Sequence, residues 1–188
     1  MGLGFCFEFA PLGLGHVAQG SRHDLNSGNA AASERRLEWI CAGWAPDACA
    51  KIEQVYKRLG AAAWPIRALI ERGFLEPARR ELSRVLAQSE AVTPANSRSE
   101  AVFLLFQAAF ALGPQVREEL LRQLAAMFAA DPFWRQLRNL ADALAMLRTE
   151  DPDLAARTVA ALPPGPQSAK LARRLASAEA AAPRPFFW

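Results

Sequence analysis

The chain holds few side chains that could carry out chemistry, and their spacing fits no enzyme or metal site. The two histidines, His16 and His23, lie in a glycine-rich stretch without a cysteine or carboxylate cluster beside them. Phosphate-binding loops, zinc-protease helices and nucleophile elbows have no counterpart in the sequence. We therefore predict no catalytic residue, no cofactor and no metal.

Two acidic pairs are the remaining candidates for general acid or base catalysis. They are Glu118 with Glu119 and Asp151 with Asp153, and each pair falls in the first turn of a predicted helix. Carboxylates at that position interact favourably with the helix dipole, so a capping role is the simpler interpretation. An enzyme on a helical scaffold is accordingly the least supported functional hypothesis.

Cysteine usage, charge and hydropathy indicate a protein of a reducing compartment. The three cysteines, Cys6, Cys41 and Cys49, form neither a CxxC pair nor an even disulfide set. The 22 basic and 19 acidic residues are too balanced for a nucleic-acid-binding tail. No apolar run approaches the roughly 20 residues of a membrane span, and no basic residue precedes Arg22 to begin a secretory signal. We expect a cytoplasmic location, and the composition argues against a nucleic-acid partner.

Residue patterning divides the chain into an arm, a helical body and a tail. Residues 1–32 hold six of the eleven glycines and alternate apolar with small residues near their start, which predicts an extended arm. Residues 33–182 show apolar spacing of i, i+3, i+4 and i+7, which predicts an all-α body of about nine helices. Residues 183–188, Pro-Arg-Pro-Phe-Phe-Trp, form an aromatic tail that its prolines keep extended. This tail either covers the last predicted hairpin, the interpretation we favour, or enters a partner or a second copy as a homodimer contact.

Glycine, proline and aspartate place the boundaries of the predicted helices. One helix is predicted to end at Gly60, and a short one to run from Pro65 to a stop at Gly73. Asp131-Pro132 and Asp151-Pro152 each predict an N-cap followed by proline at the first helical position. The segment 97–112 is apolar nearly all round, so we place it at the centre of the domain.

A repeat with a period in the middle thirties runs through the helical body. A proline and then a basic residue open three predicted helices, and the basic residues Arg98, Arg135 and Lys170 are 37 and 35 positions apart. Small residues recur between them, at Ala141, Ala145, Ala155, Ala156 and Ala160. On these features residues 61–180 resemble the tetratricopeptide-like repeat family. The resemblance implies antiparallel helix hairpins stacked into a right-handed α-solenoid, with a concave surface that binds peptides or partner proteins and carries no catalysis.

One candidate binding face lies on the predicted central helix. Glu100 and Gln107 occupy one side of it, and Phe103 and Phe110 are adjacent at helical spacing. Polar anchors flanked by aromatic rings suit an amphipathic or extended peptide. The alternative, which we favour, is that both phenylalanines pack on the preceding hairpin while the polar pair touches water.

A second candidate face lies on the helix that follows Pro132. Its apolar stripe is predicted to include Phe133, Leu137 and Leu144. The residues that face away from this stripe are Arg135, Arg138, Asn139 and Asp142. A solvated polar face is the simplest interpretation, a partner-binding strip is the alternative, and phosphate contacts by the arginines beside Trp134 are a third.

The architecture favours binding over catalysis. We expect a non-catalytic interaction module, an adaptor or a small chaperone, that binds a protein or peptide partner. The alternative is a bacterial immunity or inhibitor protein that neutralises a toxin or effector by stoichiometric binding. An apolar groove would favour the first function, and a strongly acidic concave face would favour the second if the target is a nuclease.

Overall fold

Helices joined by short connections make up the described part of the chain. The computed structural model describes residues 55–93 and 95–177, which contain seven α-helices, two 3-10 helices and no strand. The all-α prediction is confirmed there, while the arm, the predicted helices before residue 55 and the aromatic tail lie outside the described residues. The helices are α1 (Val55–Glu71), α2 (Leu75–Leu86), α3 (Ala95–Ala109), α4 (Pro114–Ala130), α5 (Trp134–Glu150), α6 (Pro152–Ala160) and α7 (Pro166–Ser177). The 3-10 helices are Ser89–Ala91 and Phe110–Leu112.

The prediction of a helix break between Gly60 and Pro65 is wrong, because α1 runs through both residues. Pro65 lacks the N–H that would donate to the carbonyl of Ala61, so the helix loses one hydrogen bond there. Every residue from Leu59 to Ile66 is buried, and α1 packs closely against α2 and α3. Tertiary burial thus stabilises a helix that local propensity alone would interrupt.

Gly73 ends α1 as the sequence predicts. Its φ of 81° lies in the left-handed region, which glycine adopts without the steric cost of a β-carbon. The Gly73 N–H donates to the Ile70 carbonyl at 2.9 Å, and the Phe74 N–H donates to the Leu69 carbonyl, also at 2.9 Å. This hydrogen-bond pair is a Schellman motif, which satisfies the last carbonyls of the helix and turns the chain into α2.

The two Asp-Pro sequences behave differently. Asp151 caps α6 as predicted, since its Oδ1 accepts from the Leu154 N–H at 2.9 Å and Pro152 is the first helical residue. Asp131 does not cap α5, which begins three residues later at Trp134 and has no side-chain cap. The Asp131 carbonyl instead accepts from the Phe133 N–H at 2.8 Å, and the backbone of Phe133 stays extended. The N-cap prediction at Asp131 is therefore wrong.

The helices pack in a regular order. Each odd-numbered helix contacts the even-numbered helix that follows it and the next odd-numbered helix: α1 with α2 and α3, α3 with α4 and α5, and α5 with α6 and α7. The connections between successive helices are short, which makes neighbours antiparallel. The odd-numbered helices α3, α5 and α7 therefore lie side by side.

The predicted position of the apolar segment is confirmed, because α3 lies at the centre of the described fold. It contacts α1, α2, α4 and α5, and every residue from Ala101 to Ala109 is buried. The Phe106 ring stacks 6.5 Å from Phe103 and meets Phe110 edge-on at 5.5 Å. α5 packs against this buried helix, which therefore fixes the position of α5 in the fold.

Candidate partner-binding surface

The four residues predicted on the central helix divide between core and surface. Phe103 and Gln107 are buried, with exposed fractions of 1% and 3%. Phe110 follows the helix in the second 3-10 turn, half-buried, with the Arg117 guanidinium 4.9 Å from its ring centre. Only Glu100 extends toward α5 at the surface. A partner therefore has no direct access to Phe103 or Gln107 in this packing.

Three of the four residues predicted on α5 make contacts between helices. The Arg138 Nη2 atom donates to Glu100 Oε2 on α3 at 2.5 Å. The buried Asn139 Nδ2 donates to Ser99 Oγ on α3 at 2.9 Å. Asp142 accepts from Arg174 on α7 at 3.2 Å. These residues connect α3, α5 and α7. The side of α5 that they occupy could be predicted from residue spacing, but this structural role could not.

Two aromatic rings are exposed to solvent where α5 begins. Phe133 is 46% exposed and Trp134 is 50% exposed, and their ring centres are 6.2 Å apart. The prediction that Phe133 belongs to the buried stripe is wrong. The helix begins after Phe133, whose extended backbone takes its side chain out of the helical periodicity on which the prediction depended.

Two arginines flank the exposed tryptophan. The guanidinium carbon of Arg135 lies 5.1 Å from the Trp134 ring centre, and that of Arg138 lies 5.2 Å from it. Both distances are within the range of a cation–π interaction. We call the four residues Phe133, Trp134, Arg135 and Arg138 the aromatic–arginine surface. The residue spacing predicts that its arginines face away from the apolar stripe, but the exposure of its rings depends on where α5 begins.

Basic residues and helix N-termini lie near the aromatic–arginine surface, together with the exposed Asp131 and with Glu100, which is paired with Arg138. The first turns of α3, α5 and α7 contain no acidic residue, and the early turns carry Arg98, Arg135 and Lys170. Each N-terminus also contributes the partial positive charge of its backbone N–H groups. By contrast, Glu76 and Asp153 lie in the first turns of α2 and α6. Acidic first turns thus occur on α2 and α6, whereas the first turn of α4 contains no acidic residue.

Two of the four acidic residues considered for catalysis, Glu119 and Asp151, have structural partners. Arg122 and Gln123 donate hydrogen bonds to Glu119, and these bonds lower the pKa of that carboxyl below its ordinary value. A carboxylate kept ionised in this way is a poor proton donor near neutral pH. Asp151 is occupied by its cap. The capping prediction is confirmed for Asp151, but it is wrong for Glu118 and Glu119, because the first turn of α4 contains no acidic residue.

Neither a search for metal ligands and membrane spans among the described residues nor a comparison with known proteins identifies another site. Within residues 55–93 and 95–177, no three histidine, cysteine, aspartate or glutamate side chains are grouped as metal ligands would be. None of the described helices combines the length and apolar character needed to cross a membrane. Models of known protein families, curated proteins and solved structures contain no match to this chain. The functional argument therefore depends on the surface itself.

Proposed function

We propose that this chain is a non-catalytic interaction module that binds a partner protein or peptide through the aromatic–arginine surface. The observation that carries the proposal is that the Trp134 ring is half-exposed and contacts the guanidinium groups of both Arg135 and Arg138. Tryptophan and arginine are the residues that most often dominate binding free energy at protein interfaces. Adjacent exposed aromatic rings mark such sites, because covering them releases ordered water.

The surface is partly held in place before a partner arrives. The ion pair with Glu100 fixes Arg138, and Arg138 in turn lies against the Trp134 ring. A side chain ordered in advance loses less conformational entropy on binding. This arrangement favours an adaptor or small chaperone that offers a firm docking point.

We further propose that the helices form a tetratricopeptide-like array. The packing of each odd-numbered helix on its own partner and on the next odd-numbered helix is the order expected of stacked hairpins in a solenoid. The spacing of Arg98, Arg135 and Lys170 supports the same repeat. We place this module in the cytoplasm, since its cysteine usage fits a reducing compartment.

Site-specific photocrosslinking tests the function. The photoreactive residue benzoylphenylalanine replaces Trp134 in the full chain, expressed in the native cell. Phe74 is the matched control, because it is 44% exposed and aromatic but belongs to the α1–α2 turn. We expect one discrete crosslinked partner from position 134 and none from position 74. Identical products from both positions, or none from position 134, would contradict the proposal.

Once the partner is in hand, affinity measurements provide the quantitative check. Trp134→Ala should weaken binding by about 30-fold or more, as expected for a central aromatic contact. Phe74→Ala should change the dissociation constant by less than about threefold. Circular dichroism must show that both variants keep the native helix content. Equal losses for the two variants would place the binding site elsewhere.

A further inference from the structure

An apolar groove of about 400 Å³ runs between α4 and α6. Leu154 forms part of its wall, and its other apolar lining is mostly short side chains: Ala125, Ala126, Ala129 and Ala161. Charged residues stand at its margins, namely Glu118, Arg122 and Arg157. The groove shares no residue with the aromatic–arginine surface.

Short side chains on both walls explain the groove. The lining residues extend from Glu118 to Ala129 on α4 and from Leu154 on α6 to Ala161 directly after it. Ala126, Ala129 and Ala161 are exposed and too short to fill the space between the two helices, and apolar walls gain dispersion contacts when a side chain covers them. A space of this size accommodates bulky side chains from elsewhere.

We propose that residues 183–188 of the same chain occupy this groove. The point where the described chain ends supports this assignment. Arg148 Nη1 donates to the Leu175 carbonyl at 2.5 Å, so the end of α7 lies beside the end of α5. α6 begins at Pro152, immediately after α5, and its Leu154 lines the groove. The end of α7 and one end of the groove therefore lie at the same end of the fold, near the connection between α5 and α6.

The segment that connects α7 to the tail is long enough to reach across that end of the fold toward the groove. Residues 178–182 separate Ser177 from Pro183, and an extended chain covers about 3.3–3.6 Å per residue. Five such residues reach roughly 17 Å, and the two prolines keep the following segment from becoming helical. A segment tethered this closely has an effective concentration on the order of millimolar.

The chemistry of the segment matches the groove. Phe186, Phe187 and Trp188 supply the bulky apolar groups that the alanine lining lacks. Arg184 is opposite in charge to Glu118, and the guanidinium of Arg157 can stack on an aromatic ring. The cationic Arg122 of the lining is paired with Glu119. In the last helix, Leu171 is fully buried and Leu175 is partly buried against the core.

A peptide-binding experiment in the full chain tests the assignment. In one variant the three tail aromatics are replaced, as Phe186→Ser, Phe187→Ser and Trp188→Ser, which empties the groove. The probe is a fluorescein-labelled peptide of residues 180–188, Ala-Ala-Ala-Pro-Arg-Pro-Phe-Phe-Trp. Fluorescence anisotropy should show that the triple variant binds this peptide at least 10-fold more tightly than the native chain, in which the groove is filled.

Two substitutions in the triple variant locate the binding. Ala126→Arg fills the groove from an exposed position and should abolish peptide binding. Ala172→Arg, on an exposed position of α7, is the matched control and should leave the binding unchanged. Equal peptide affinity for the native and triple variant proteins, or indifference to Ala126→Arg, would overturn the proposal.

Light scattering and crosslinking show whether the tail in the groove belongs to the same chain or to a second copy. A native dimer that becomes monomeric in the triple variant would assign the tail to a second copy and overturn the intramolecular contact. If circular dichroism shows that the triple variant does not fold, a crosslinking experiment takes the place of the peptide-binding experiment. Benzoylphenylalanine is then introduced at position 129, in place of Ala129, in a chain that keeps the native tail. A crosslink from position 129 to residues 183–188 within a monomer supports the proposal, and a monomer without that crosslink refutes it. None of these results depends on the aromatic–arginine surface.

Discussion

At the scale of single residues, burial decides what each polar side chain does. Asn139 has the spacing of a surface residue on α5, yet it is fully buried because α3 covers that side of the helix. Its amide finds the hydroxyl of Ser99, which is also buried. A polar group in such a place is tolerated only when it is hydrogen-bonded. The pair therefore fixes how α3 and α5 align.

Asn139→Ala should lower the free energy of unfolding by about 1–3 kcal/mol, because the Ser99 hydroxyl loses its partner in a buried site. Adding Ser99→Ala should restore part of that loss, since neither polar group then remains. Urea denaturation followed by circular dichroism measures both changes. Thr149→Ala, at an exposed position, is the control and should change stability by less than about 0.5 kcal/mol. Strictly additive effects of the two substitutions would show that the residues are not coupled.

At the scale of helices, the sequence predicts most elements and misplaces some of their boundaries. The stop at Gly73 and the cap at Asp151 follow from local backbone chemistry, so both could be predicted. The continuation of α1 through Pro65 depends on packing against α3, which lies 30 or more positions further along the chain. The late start of α5 likewise has no local signal, and it is what exposes Phe133 and Trp134. The sequence therefore predicts the exposed arginines of the candidate surface but not its exposed aromatic rings.

The two Asp-Pro sequences give a matched prediction about helix capping. Asp151→Ala should cost about 0.5–2 kcal/mol, because the Leu154 N–H loses its acceptor at the start of α6. Asp131→Ala should cost less than about 0.5 kcal/mol, since that side chain is exposed and caps no helix. Chemical denaturation of both variants under the same conditions measures the difference. Equal losses would mean that Asp131 has a capping role that its geometry does not indicate.

At the scale of the whole molecule, the number of neighbours differs from helix to helix. Among the described helices, α3 packs against four others, whereas α7 packs chiefly against α5. In arrays of stacked hairpins, stability is approximately a sum over units and their contacts with neighbours. Local opening then costs least where fewest contacts must break. We therefore expect α7 to open independently of the centre.

Native-state hydrogen exchange tests this gradient. Amides of α7 should exchange fastest among the described helices, and those of Ala101–Ala109 in α3 slowest, because the latter open only on global unfolding. Leu171→Ser removes a fully buried side chain of α7, so it should speed exchange there about 10-fold or more and leave α3 unchanged. Phe106→Ala is the complementary variant, since it truncates a fully buried ring and should cost about 3–5 kcal/mol. That cost should reduce protection throughout the described helices, because the contacts of α3 reach α1, α2, α4 and α5. If Leu171→Ser instead lowered the protection of α3 as much as that of α7, the described helices would unfold as one cooperative unit, and α7 would not open independently of α3.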